Sequence, residues 1–308
     1  MNTKTIFYII KRILLALVTV WVVVTITFFT MHMIPGGPFL AEKAITKEVK
    51  AQLEAQYGLD KPVFEQYTTY LKGAVHGEFG PSIKQRGRMV SDIIKDGMRT
   101  SIKLGVTAAF LALVVGVPLG ATAAVKRNHT IDKVIMVITT AFVSMPSFIM
   151  GSLLLTLLCV KLQIFPANGT TAAGLILPVI TLSLYPMAYI TRLIRSSMLD
   201  ELDQDYIRTA KAKGVSDRNI IFHHALKNSL IPVITYFGPM LAYIVTGSIV
   251  VEKIFAVPGI GRSFVNSITG RDYTLVMGTT IVLACLIVLM NLISDILYTV
   301  ADPRISLE

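Results

Sequence analysis

Charge is what this 308-residue chain has least of. Asp, Glu, Lys and Arg together make up 16%, against roughly 25% in soluble domains, and apolar residues make up 53%. That balance excludes a disordered chain, which needs few apolar residues and much charge. It also excludes an ordinary soluble globule, because too little polar surface remains to cover one. Cysteine is almost missing: Cys159 and Cys285 both lie in apolar runs, with no CxxC pair. This excludes a disulfide framework and reads each as a small buried hydrophobe. No Gly-Lys dipeptide occurs, so a P-loop is excluded, and neither His-Glu-x-x-His nor Gly-x-Ser-x-Gly is present. Histidines are five and scattered. His223 and His224 are neighbours that point about 100° apart on a helix, which does not suit one metal. No catalytic, cofactor-binding or metal-binding set emerges.

What the chain does have is long uncharged runs. They cover residues 13–34, 104–125, 134–160, 174–191, 228–251 and 273–294. A bilayer core needs about 20 apolar residues in a helix, and lipid leaves helices or closed barrels as the only spanning structures. These runs do not alternate as barrel strands do. The expectation is an all-α polytopic membrane protein with six spans. The first is too long, and lacks the small-x-small site, to be a cleaved signal peptide.

Formal net charge is +10, from 29 basic and 19 acidic residues. Its distribution points to membrane orientation rather than to nucleic acid. With the N-terminus inside, the segments 1–12, 126–133, 192–228 and 301–308 carry 14 Lys and Arg, and the short outer loops 161–173 and 253–273 carry 4. That asymmetry predicts an N-in, C-in topology. Residues 35–100 are then external and nearly charge-balanced. Within them Thr46 is placed to cap a helix ending at Gly58, and Pro62 opens a second one bearing Val63, Tyr67, Tyr70, Leu71 and Val75 on one face before Gly77 and Gly80. We expect a folded cap. Two domains follow: residues 1–97, the first span with this cap, and 98–302, a five-helix core.

The segment 196–228 is the most informative. Asp203 or Asp205 is placed to cap a short helix over 206–213, with Ile207, Ala210 and Gly214 on one side and Lys211 and Lys213 near its end, which suits the helix dipole. Gly214 closes it where positive φ is wanted. Ser216 is placed to cap a second helix carrying Ile220, Ile221, Phe222 and Ala225. Such a pair reads equally as an amphipathic element on acidic lipid and as a docking element for a partner.

At this loop the chain resembles the permease subunits of ABC importers. Their loop follows Glu-Ala-Ala-x-x-x-Gly, with Ile-x-Leu-Pro further on. Here Arg208-Thr209-Ala210 leads to Gly214, and His224-Ala225-Leu226-Lys227 follows, so Ala210, Gly214 and Leu226 match. The remainder resembles the variant loop of the oligopeptide/dipeptide/nickel branch. Other segments resemble that branch in order: Gly36-Gly37-Pro38, Tyr57-Gly-Leu-Asp-Lys-Pro62, Gly77-Glu-Phe-Gly-Pro-Ser82, Arg192-x-x-Arg195-Ser-Ser-Met198, Val257-Pro-Gly-Ile-Gly261, Arg271-Asp-Tyr273 and Asp302-Pro-Arg304. They are most similar to the B-type oligopeptide subunit.

The resemblance implies a type I (MetI-like) permease fold in a bacterial cell membrane. It implies a homologous second permease (C-type), two ATPase subunits (D/F-type) that bind ATP and Mg, and an external binding protein that delivers peptide. The coupling residues would be Arg208, Ala210, Lys211, Lys213, Gly214 and Leu226.

Of the ionisable groups near bilayer depth, Asp295, Glu252 and Lys253 read as interfacial, which argues against an ion-coupled carrier. Prolines 118, 146, 186, 232 and 239 fall within spans, and Pro146 and Pro186, central in the third and fourth, are read either as kinks of a transport pathway or as packing kinks. The alternatives left open are a dipeptide or nickel permease and, from another class, an ion-coupled secondary transporter.

Overall fold

A computed structural model describes residues 3–35, 37–39 and 46–301; the side chains of 3–9, 47, 245–247 and 294–301 are outside the described set. The chain is helical throughout, with one isolated bridge, Pro81 to Met89, among the described residues. Among the described residues thirteen α-helices follow in order: α1 (Thr3–Met33), α2 (Lys47–Gln56), α3 (Val63–Val75), α4 (Val90–Val125), α5 (Thr130–Ser144), α6 (Ser147–Leu154), α7 (Ile176–Leu202), α8 (Asp205–Ala212), α9 (Asp217–Asn219), α10 (Leu226–Ser229), α11 (Ile231–Ile254), α12 (Ile260–Gly270) and α13 (Tyr273–Ala301).

Four stretches, 10–33, 90–125, 173–202 and 273–293, are each long and apolar enough to cross a membrane, and two bent pairs, 130–144 with 147–161 and 231–244 with 248–254, raise the number to six if each pair is one span. The uncharged run 134–160 predicts one straight span; instead the chain turns by 106° between its two halves. The cause is local. Met145 adopts an extended conformation, the one a following proline favours, and Pro146 offers no N–H to continue the ladder.

The chain divides into two compact units, residues 1–101 with 258–288, and 102–257 with 289–308. Residues 258–288, part of the core segment 98–302 in the sequence reading, thus pack with the first unit. In that unit the cap forms as its signals predict. Thr46 accepts the Val49 N–H at 3.4 Å, and the Glu48 carboxyl is held below its usual range by its own amide and the Thr46 hydroxyl. Gly58, Gly77 and Gly80 all take positive φ. The face of α3 is narrower than predicted. Tyr67, with Tyr70 and Leu71 beside it, packs on Val24 and Phe28 of α1 and Met277 of α13, whereas Val63 and Val75, at the helix ends, are exposed.

Segments far apart in sequence meet in this unit. Arg271, in the left-handed region at φ 56, donates to the Pro35 carbonyl at 2.9 Å. Asp272 is 1% exposed and accepts from the Ser82 hydroxyl, from Ile83 N at 3.1 Å and from Lys84 N at 3.2 Å. The Gly-Gly-Pro, Gly-Pro-Ser and Arg-Asp-Tyr segments therefore form one knot, of which Gly36 lies outside the described residues, as do Asp302–Arg304.

The second unit is centred on α7, whose Leu182, Ile190, Ile194 and Met198 are fully or almost fully buried. Small residues recur every fourth position along α4, at Ala108, Ala112, Gly116, Gly120 and Ala124, all buried. A Cβ on Gly120 would stand 2.5 Å from the Thr191 carbonyl, and one on Gly116 2.8 Å from that of Met187. The helices touch backbone to backbone there, which is the packing available where lipid supplies no hydrophobic drive between helices.

Glu252, near the end of α11, is fully buried, and the chain folds back after it: Val257 N donates to the Glu252 carbonyl at 2.9 Å, and Gly169 N donates to that of Phe255 at 2.7 Å. One sequence expectation changes here. Cys159 is buried as expected, but Cys285 is exposed, on a face of α13 that no part of the chain covers among the described residues. The Asp295 side chain lies outside the described residues.

Candidate functional site

The loop between α7 and α11 begins where α7 ends at its C-cap, Asp203. The predicted cap of the next helix is corrected: the N-cap of α8 is Gln204, without a side-chain bond, because Asp203 is used by α7 and Asp205 is already helical. After α8, Gly214 takes φ +79, and Val215 N donates back to the Ala210 carbonyl at 3.1 Å. This is the reversal that only glycine makes without steric cost. Ser216 stands at the N-cap position of α9 as expected, but its side chain makes no capping bond, and residues 220–225 widen into a π-helical turn before α10. Such turns recur at functional sites.

Three features hold α8 to the body of the unit. Ile207 is completely buried. The Tyr206 hydroxyl donates to the Glu201 carboxylate on α7. Asn228 on α10 donates to both, at 3.2 Å to Glu201 and 3.0 Å to Tyr206. Burial, and next the Glu201 carboxylate, push the Tyr206 phenol upward. Against this anchored side, the outer side carries Arg208, Lys211, Lys213 and Gly214, all exposed, with Ala210 half-buried between them. Arg208 reaches Asp205 at 3.3 Å, but both are largely in solvent, where such a pair contributes little. Leu226 is half-buried and packs toward the core as the second helix begins. The loop thus presents a rigid, basic, one-turn-reversed helix, fixed from beneath and open above.

The two prolines singled out in the sequence stand beside a second arrangement. Pro146 is the N-cap of α6, at the 106° turn; Pro186 is buried inside α7, which continues through it unbroken. Flanking them, Tyr185 stacks on Tyr243 at 4.6 Å and Tyr189 lies against Tyr236 at 4.2 Å, joining α7 to α11. Tyr243 also hydrogen-bonds Ser147, the residue after Pro146. Four half-buried to exposed phenols therefore line one stretch of α7 and α11. The spacing of Tyr185 and Tyr189, four apart like positions on one helix face, was the available signal, and sequence reasoning passed over it.

A further relationship escaped it too. Arg195 grips Asp132 with two hydrogen bonds, Nε at 2.6 Å and Nη2 at 2.8 Å. The Asp132 side chain is 4% exposed and also accepts the Asn128 N–H at 2.9 Å. Nothing in the local pattern around either residue predicts its partner, 63 positions away.

A set of apolar, span-length helices with a glycine-turned loop is what this geometry shows, and comparison with known proteins gives its family. Residues 116–307 match the binding-protein-dependent transport system inner membrane component family, and residues 5–100 match its N-terminal companion. The chain belongs to that family and is a multi-pass inner membrane component. It is 45% identical over 302 residues to the dipeptide transport system permease protein DppB of Bacillus subtilis, covering 98% of each chain. It is 44% identical to the oligopeptide transport system permease protein OppB of Haemophilus influenzae, covering 97% of this chain and 98% of that one. Among solved structures, the methionine ABC transporter MetNI in an inward-facing conformation is similar over 68% of this chain and 96% of the other, with a TM-score of 0.55 and 18% identity. That likeness concerns the fold alone.

Proposed function

We propose that this chain is a permease subunit of an ATP-driven peptide importer and forms half of its translocation pathway. The observation that carries the reading is identity of 44–45% along nearly the whole length to permeases of oligopeptide and dipeptide systems. A homologous second permease completes the pathway, an external binding protein delivers peptide, and two ATPase subunits bind ATP and Mg on the inner side. The chain itself has no phosphate-binding loop, so the energy must enter through a contact.

That contact is the α8 turn. In the N-in, C-in topology it faces the cytoplasm. Its exposed Arg208, Lys211 and Lys213 pair with acidic groups on an ATPase subunit, and Ala210, small and half-buried, lets that subunit approach closely. Because Ile207, Tyr206 and Asn228 tie α8 to α7, a displacement of the turn is passed to the end of a central span instead of being absorbed by the loop. Rigid-body rocking then opens the pathway to alternate sides. The phenols of Tyr185, Tyr189, Tyr236 and Tyr243 are the lining of that pathway in this chain: neutral, flat and able both to donate and to accept, as suits peptides of varied side chain.

The test is purification through a tag on this subunit, followed by reconstitution. The expected result is recovery of a second permease and two ATPase subunits, with peptide uptake that requires ATP. Uptake by the lone chain under an ion gradient would overturn the reading.

A further inference from the structure

The first unit contains a cavity of about 660 Å³, within the 300–1,000 Å³ range of small-ligand sites. Its floor is the last turn of α1, with Phe28, Met31 and His32, and the first turns of α13, with Tyr273 and Met277; Tyr70 of α3 closes it from the cap. Three buried side-chain oxygens have no hydrogen-bond partner among the described residues, and two of them, the hydroxyls of Tyr70 and Tyr273, belong to this wall. Tyr273 is only 6% exposed, and burial drives the Tyr70 phenol upward. A buried hydroxyl without a partner carries an uncompensated desolvation cost, so two in one cavity call for a ligand that bonds them.

The wall states what that ligand is. Lys61 and Glu78 are the charged residues lining it, of opposite sign, so the wall carries no net charge to select an ionic ligand. His32 is not a free donor, since its ring nitrogens are engaged by the Phe28 carbonyl at 2.9 Å and Gln66 at 3.0 Å. Gln66 in turn donates to the carbonyls of Leu59 and Lys61. A peptide, with a donor and an acceptor at every residue, would leave most of its groups unmet here. An apolar body carrying one or two acceptor oxygens would not. The cavity also lies where two apolar spans end, the depth at which tyrosines and lipid ester groups meet, and the neighbouring face of α1 exposes Trp21 and Ile26 to whatever surrounds it.

We infer that this cavity is a binding site for the acyl-ester portion of a membrane phospholipid, whose ester carbonyls accept hydrogen bonds from Tyr70 and Tyr273 while an acyl chain packs against Phe28, Met31 and Met277. The lipid then fastens the cap to the outer ends of the first and last spans. The site does not depend on which solute is transported.

The experiment uses the intact complex in nanodiscs containing phosphatidylcholine with a diazirine in its acyl chain. After photolysis and digestion, label is expected on the peptides bearing Tyr70 and Met277. In the Tyr70→Phe/Tyr273→Phe variant, which keeps the shape and removes both hydroxyls, that label falls about fivefold per phenol lost, the ordinary worth of one neutral hydrogen bond. Label on the exposed face of α1 at Leu17 stays unchanged and reports an intact fold. Should the double variant fail to assemble, Tyr70→Phe alone is read in the same way. Label at the cavity no higher than on other buried segments means water alone satisfies the phenols and overturns the inference; so does label that is indifferent to both substitutions.

Discussion

Asp132, at the first turn of α5, is held by Arg195 of α7 through two hydrogen bonds of 2.6 and 2.8 Å, with the carboxylate 4% and the guanidinium 23% exposed. One short helix that precedes the 106° turn is thereby locked to the central helix of its unit. Removing one partner leaves the other charge poorly solvated, and losses of about 3–5 kcal/mol are known for fully buried pairs; the partial exposure of Arg195 lowers the expectation to about 2–3 kcal/mol for Asp132→Ala. Replacing both, as Asp132→Leu with Arg195→Met, is expected to restore part of it. Thermal unfolding of the purified complex measures both, and additive losses would remove the pair from the account.

At Gly120 the limit is space. A methyl group there would stand 2.5 Å from a backbone carbonyl of α7 and 2.7 Å from the Ile194 Cβ, so the helices must part even for alanine. Overpacking of this kind costs about 1–3 kcal/mol. Gly120→Ala is expected to lower the yield of assembled complex, and Gly120→Leu to abolish it, while Gly105→Ala, whose nearest neighbour is a side-chain methyl at 3.1 Å, is the milder control.

Gly214 is limited by backbone instead. No atom lies within 4 Å of an added Cβ, but φ is +79. Asn tolerates that region and β-branched residues do not. Gly214→Asn is therefore expected to keep peptide-stimulated ATP hydrolysis and uptake, and Gly214→Val to lose both with the chain still present in the membrane. Normal uptake by the valine variant would detach this turn from coupling.

Reversing charge at Arg208 and Lys211 together tests the outer side of α8. Both are exposed, so folding is expected to change by less than about 0.5 kcal/mol. Recovery of the ATPase subunits with the tagged chain is expected to fall, and to fall further as salt is raised, since exposed charges are screened over about 10 Å at 0.1 M. Unchanged recovery at low and high salt would argue for an apolar contact.

In the phenol cluster, Tyr236→Ala and Tyr189→Ala are expected to slow peptide uptake severalfold while basal ATP hydrolysis persists, because in the proposed reading these side chains line the path and stand apart from the coupling loop. Equal loss of both activities would make the cluster a packing element.

Much of this protein can be read along the chain. Its uncharged runs mark the helices that are long and apolar enough to span, Thr46, Pro62 and Gly58 mark the edges of the cap helices, and Gly214 marks the reversal after α8, because each of these is decided within a few residues by propensity, by φ or by the absence of water around a bare backbone. What the runs could not show is that one of them turns by 106° at Pro146, since length and hydropathy are blind to direction. The reach of Asp272 to Ser82, the grip of Arg195 on Asp132, the burial of Glu252 and the facing of Tyr185 to Tyr243 are likewise invisible in the order of residues. Local sequence determines which segments become helices and where they stop; which side chains then share a buried space is decided only when helices distant in sequence pack, because a buried polar group takes its partner from whatever the fold brings within about 3 Å.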